Sequence, residues 1–194
     1  MDLRLIEAGL SVFQQKGVRF TMDDLSHAMG ISKKTVYELV ESKEALIAGI
    51  IGHVHEDIHR QQAAILADAG LRPAEKLERI LTVLPVYGTF FEYGRLAELE
   101  EKYPVQFERM TVLLNQGWET TFDLYREGVA QGTLRPCHPD LFKTLYTSAV
   151  TALFHDRFVL RHQMPYADTL KEVVSILMHG FVQSGSANEG APEA

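Results

Sequence analysis

Residues 21–46, TMDDLSHAMGISKKTVYELVESKEAL, decide how the rest of the chain is read. The stretch predicts three helical pieces in succession. Thr21 can cap the first, with Asp24 three residues on to complete a capping box. Leu25, Ala28 and Met29 then share one face at helical spacing. Gly30 supplies the left-handed position of a tight turn. Ser32 caps the second piece, 33–40, whose buried side is expected to be Val36, Leu39 and Val40. Ser42 caps the third, which opens Lys43-Glu44-Ala45-Leu46. A helix, a glycine turn and a second helix in this order make a helix-turn-helix.

The second helix begins with Ser32, Lys33, Lys34 and Thr35, all able to hydrogen-bond to base edges or phosphates. In such a unit the first residues of the second helix are those that enter the major groove. Thr21, Ser32 and Ser42 each mark a helix start, where free backbone N–H groups and the dipole favour a phosphate. Lys43 adds a positive charge beside one of these starts. A surface hairpin with merely solvated lysines would not require turn, caps and polar first turn to agree.

Residues 3–46 resemble the DNA-binding domain of TetR-family transcriptional repressors. Ala8, Phe13 and Gly17 carry the likeness first, then Thr21, Leu25, Ala28 and Gly30. Ser32-Lys33, Thr35-Val36-Tyr37 and Ser42-Lys43-Glu44-Ala45-Leu46 complete it, in register and without a gap. The chain departs from the pattern in two places. Lys34 stands where a small residue is usual, and Glu38, Leu39 and Val40 stand where an aromatic pair is common. Lys34 can strengthen a phosphate or guanine contact, and Glu38 can accept from a cytosine amino group or repel the backbone. The resemblance implies an all-α homodimer that binds a palindromic operator and releases it when a small ligand occupies a second domain. It places DNA against Thr21, Ser32, Lys33, Lys34, Thr35, Tyr37 and Lys43.

The 194 residues suit a small domain, 1–46, and a medium one, 47–184, followed by a polar tail, 185–194, expected to be disordered. About nine helices are expected. Hydrophobic residues make up 46% and charged residues 23%, as in an ordinary globular protein. No apolar run is long enough for a membrane span, and MDLRLIEAGL lacks the pattern of a signal peptide, so a cytoplasmic protein is expected. The formal net charge of −7 opposes a nucleic-acid partner, but residues 1–50 hold 6 positive against 7 negative side chains. Binding must then come from aimed groups, chiefly Lys33, Lys34 and Lys43, and must weaken with salt as counterions are released. The single Cys137 excludes an internal disulfide and a cysteine-based zinc site, and no basic cluster beside it suggests a reactive thiol.

Outside the opening stretch, helical periodicity predicts elements at 2–16, 43–67, 74–92, 95–102, 105–131, 139–161 and 165–183. Leu3, Ile6, Leu10 and Phe13 form the apolar stripe of the first. Helix 43–67, with Leu46, Ile50, Ile51, Val54, Ile58 and Ile65 inward, joins the reading head to the rest and is the natural lever. Pro85 falls within 74–92 and predicts a kink.

The lever contains His55-Glu56-Asp57-Ile58-His59, an H-E-x-x-H match in which two histidines can hold zinc and the glutamate can act as base. Asp57 interrupts it, Arg60 follows it, His53 is off its face, and no later histidine supplies a third ligand at a known spacing. A solvated polar face is the favoured reading, adventitious metal binding by His55 and His59 is a weaker one, and a zinc hydrolase on His55, Glu56 and His59 is one rival function. A helical dimerisation protein that binds no DNA is another. No cofactor is expected.

In the second domain the aromatics Tyr87, Phe90, Phe91, Trp118, Phe122 and Tyr125 come from two helices. Family layout puts a small-molecule pocket between such helices, and Tyr87, Phe91, Trp118, Phe122, Tyr125 and His155 are the candidate ligand contacts. An apolar or aromatic effector suits such a lining. Plain core packing is the competing account of the same side chains. Helices 139–161 and 165–183 are the expected dimer contact, as a four-helix bundle with small residues Thr147, Ser148, Ala149, Thr151 and Ala152.

Overall fold

A computed structural model describes residues 1–86, 95–155, 162 and 164–179. Among these residues every regular element is a helix. They are α1 (Leu3–Lys16), α2 (Met22–Met29), α3 (Lys33–Leu39), α4 (Lys43–Ala67), α5 (Pro73–Leu81), α6 (Arg95–Lys102), α7 (Pro104–Leu114), α8 (Trp118–Ala130), α9 (Pro139–His155) and α10 (Tyr166–His179). No helix among the described residues is long and apolar enough to cross a membrane.

The local signals of the opening stretch act as expected. The Thr21 hydroxyl accepts from the Asp24 N–H at 3.2 Å, and Asp24 accepts from the Thr21 N–H at 2.8 Å, closing the capping box. Gly30 ends α2 at φ 66°, and its N–H donates to the carbonyls of Ser26 and His27. Ser32 accepts from the Thr35 N–H and Ser42 from the Ala45 N–H, each at 3.1 Å.

The burial pattern corrects several side-chain assignments. Leu3, Ala28 and Leu39 are exposed, whereas Leu5, Val12, Met22 and Ser26 are buried. The helices here are packed on two sides, so the inward face is wider than a single stripe.

Two helices also differ from the sequence pattern. The expected 105–131 element is broken at Asn115-Gln116-Gly117, where Gly117 adopts φ 76°. That break divides one expected helix into α7 and α8. The element expected to kink at Pro85 instead stops at Leu81. Proline has no N–H to give the carbonyl four residues back. That carbonyl, of Leu81, is taken by the Tyr146 hydroxyl at 2.8 Å. Thr82 turns its own hydroxyl onto the carbonyls of Glu78 and Arg79.

Two hydrophobic cores result. The first unites α1 to α4 with α6 and α7, through Leu10, Phe13, Leu25, Val36, Leu46, Ile50, Leu96, Leu99 and Met110. It extends from the helix-turn-helix into α6 and α7 without interruption, and Arg19 pairs with Glu98 at 2.7 Å along its edge. The second joins α5, α8, α9 and α10 around Leu77, Leu81, Trp118, Tyr125, Leu170 and Val174. Cys137 is exposed in the loop before α9. Tyr87, Phe90 and Phe91, the side chain of His155, the expected continuation of α9 to 161 and the tail 185–194 lie outside the described residues.

Candidate nucleic-acid interface and helical-domain cavity

The turn at Gly30 and the three serine and threonine caps fix how the first turn of α3 meets its surroundings. Ser32, Lys33, Lys34 and Tyr37 are exposed there, and Thr35 is half-buried. The Ser32 and Thr35 hydroxyls share a hydrogen bond of 2.9 Å. Thr21 is exposed at the start of α2, with its hydroxyl held by Asp24.

The three lysines differ in what holds them. Lys33 reaches back to α2, where its ammonium lies 3.0 Å from Asp23. That hydrogen bond and the carboxylate's charge raise the Lys33 pKa. Lys34 stands almost wholly in solvent, 3.8 Å from Glu38 one turn along. Lys43 is turned inward. Its ammonium donates to the Val18 carbonyl at 2.6 Å and lies 4.4 Å from the centre of the Phe20 ring and 5.4 Å from that of Tyr103. It therefore bolts the start of α4 to the turn before α2 and to the end of α6, rather than projecting beside α3. A second internal tie is Lys16 on Asp24 at 2.5 Å. Lys16 foremost, with the Thr21 N–H and hydroxyl, brings the Asp24 carboxyl down to about 2.

Between the lever and the second core lies a cavity of about 190 Å3. Its wall combines His55, Ile58, His59 and Gln62 of α4 with Ile80 and Leu81 of α5. Thr111, Leu113 and Leu114 of α7, Trp118 and Thr121 of α8, Tyr146 and Val150 of α9, and Tyr166 and Leu170 of α10 enclose the rest. None of the described wall residues is an aspartate, glutamate, lysine or arginine. Tyr146 and Tyr166 are held protonated, both by burial first.

Of the residues expected to meet a ligand, Trp118 stands in the wall, its ring 5.6 Å from that of Tyr146. Phe122 packs beside Trp118 in the second core, ring centres 5.9 Å apart. Tyr125 is also in that core, and its hydroxyl donates to the Cys137 carbonyl at 2.9 Å and accepts from the Cys137 N–H. Sequence reasoning missed the contributions of α4 and α10. Their cavity residues continue the same apolar stripes as their core residues, so periodicity does not separate core from wall. It also set His55 and His59 on a solvated face; His59 is indeed exposed, and both rings in addition border the cavity.

The cavity is tied to the lever by Asp57, which is only 2% exposed. Its carboxylate accepts from the Val86 N–H at 2.8 Å, from Gln61 at 3.0 Å and from Arg60. Burial alone would raise its pKa, but these donors overcome it and hold the carboxyl below the usual range. Gln61 also donates to the Leu84 carbonyl at 3.0 Å, so the segment after α5 is clamped to the middle of α4.

Comparison with known proteins agrees with this geometry. The profile of the bacterial regulatory proteins of the tetR family matches residues 5–50. The HTH-type transcriptional regulator YvaF of Bacillus subtilis strain 168 is 26% identical over 188 residues, 97% of this chain and 99% of its own length. A TetR/AcrR-family regulator from Thermobifida fusca superposes with a TM-score of 0.68 at 20% identity, over 92% of this chain and 97% of its own. FadR of Bacillus subtilis, solved with stearoyl-CoA, superposes with a TM-score of 0.60 at 14% identity, over 93% of this chain and 99% of its own.

Proposed function

The chain belongs to the TetR family of transcriptional regulators, and from that premise we propose that it is a repressor whose homodimer binds a palindromic operator and is released by a small apolar ligand. One observation carries the proposal. Helix α4 runs unbroken for 25 residues, Lys43–Ala67, with Lys43 bolted beside the helix-turn-helix and Gln62 in the cavity wall. A helix of that length spans about 37 Å at 1.5 Å per residue. A ligand that wedges the cavity open tilts a rod whose other end belongs to the core of the reading head. Only a ligand with different affinity for the two tilts shifts the balance, and the DNA then shifts ligand affinity by the same factor.

In this reading Ser32, Lys33, Thr35 and Tyr37 enter the major groove, Lys34 meets phosphate at its edge, and Thr21 meets phosphate at the start of α2. Lys33 exchanges Asp23 for DNA. Lys43 acts from behind, as the bolt that keeps α4 and the reading head together. The two-fold contact uses α9, where Leu141, Leu145, Ser148 and Ala152 leave an exposed stripe at helical spacing. A dimer through such a self-complementary face sets two reading heads about 34–36 Å apart, one turn of DNA. The uncharged cavity wall and the acyl ligand of FadR both support an apolar effector.

The family is one of regulators rather than enzymes, which sets aside the zinc hydrolase on His55, Glu56 and His59. Glu56 is exposed, away from the task of a base in a water-poor site. The test is selection of bound sequences from a random duplex library at moderate salt. Enrichment of a palindrome with half-sites one turn apart is expected. A folded dimer that enriches nothing would favour the helical dimerisation protein instead.

A further inference from the structure

The histidines of His55-Glu56-Asp57-Ile58-His59 border the cavity, and the fold also brings their two rings together. Their rings meet edge to face, with centres 4.2 Å apart and planes at 79°. The two Nε2 atoms stand 2.9 Å from each other. A single hydrogen bridges such a pair, so one Nε2 presents its lone pair to the other. Both rings line the cavity, whose described wall holds no cationic side chain to compete for that lone pair.

Imidazole nitrogens sit about 2.0–2.1 Å from a bound first-row metal, so two of them lie about 2.9 Å apart at a right angle and about 3.3 Å apart at a tetrahedral angle. A small side-chain rotation from the observed contact reaches either spacing, and the order of affinity follows from the ligand type, with Cu2+ ahead of Zn2+ at imidazole nitrogens. We propose that His55 and His59 form a two-nitrogen chelate for a divalent transition metal, Cu2+ ahead of Zn2+, in the wall of the cavity.

Binding moves the bridging Nε2 proton to Nδ1 or to solvent, with no change of oxidation state. No third His, Cys, Asp or Glu joins the pair among the described residues, so water or a donor atom of a cavity ligand completes the coordination.

The experiment is calorimetric titration of tag-free, metal-stripped full-length protein with Cu2+, Ni2+ and Zn2+, with electron paramagnetic resonance of the Cu2+ form. One Cu2+ per chain is expected, with hyperfine structure from two nitrogens and an affinity above that for Zn2+. His59→Gln and, separately, His55→Gln should each lose at least about tenfold in Cu2+ affinity, with unchanged circular dichroism. His53→Gln should keep the wild-type value. Equal Cu2+ affinity in His59→Gln and wild type, or tighter binding of Zn2+ than of Cu2+, overturns the proposal. The measurement uses neither DNA nor organic ligand, so its failure leaves the regulatory reading standing.

Discussion

Lys34 and Lys43 carry the same charge nine residues apart, and their surroundings predict opposite consequences of removing it. Lys34 stands in solvent at the start of α3, with only the exposed Glu38 near it, while the ammonium of Lys43 is spent on the Val18 carbonyl and the Phe20 ring. Each phosphate contact contributes about 0.9 to the slope of log affinity against log salt. Lys34→Ala removes one contact from each reading head of a dimer, so the slope should flatten by about 1.8. Between about 50 and 200 mM salt the wild type should then lose about twelvefold more affinity than the variant. Lys43→Met keeps the apolar stem and should leave the slope unchanged. It instead removes a charged hydrogen bond and a cation–π contact, together about 2 kcal/mol at this half-buried position. For a chain of this size that lowers Tm by about 4–8 °C. Fluorescence anisotropy on the selected operator across salt, with thermal denaturation at fixed protein concentration, reads both. A slope that flattens with Lys43→Met, or that survives Lys34→Ala, refutes the assignment.

Asp57→Ala should lower stability by about 2–3 kcal/mol at pH 7, because Val86 N–H and Gln61 lose a charged acceptor. The exposed Arg60 adds little to this. Since the folded carboxyl lies below its ordinary value, its contribution is complete above that value and vanishes as pH falls through the folded pKa. The Tm gap between wild type and variant should therefore shrink from pH 7 to pH 3, and a constant gap would show that the negative charge is not what holds the clamp. Gly30→Ala meets open space but must adopt φ 66°, so it should cost about 1–2 kcal/mol by chemical denaturation. An unchanged midpoint would mean that the turn relaxes without loss.

The reading head was legible because its signals are local. A cap, a box and a left-handed glycine act within four residues, and Thr21, Ser32, Ser42 and Gly30 each do what their type predicts. Where the deciding partner is distant, the sequence misleads. Nothing near Pro85 announces that Tyr146, 65 residues after Leu81, will take the freed carbonyl. Nothing near Lys43 announces Val18, 25 residues earlier. The break at Gly117 hides because apolar periodicity continues on both sides of it. For the same reason Trp118, which reaches the cavity, reads no differently from Phe122 and Tyr125, which pack in the core.

The uninterrupted first core has a consequence for recombination. Regulators of this kind invite construction of chimeras in which one protein's DNA specificity is joined to another's effector response. A cut between residues 46 and 47 would pass through packed side chains, since Leu10, Phe13 and Leu46 share their core with Leu96, Leu99 and Met110. Grafted residues 1–46 would meet a foreign α6 and α7, and the Arg19–Glu98 pair and the Lys43 contact with Tyr103 would be lost with them. A workable graft must carry the inward faces of α6 and α7 along with the reading head, so the exchangeable unit of this protein is discontinuous in sequence.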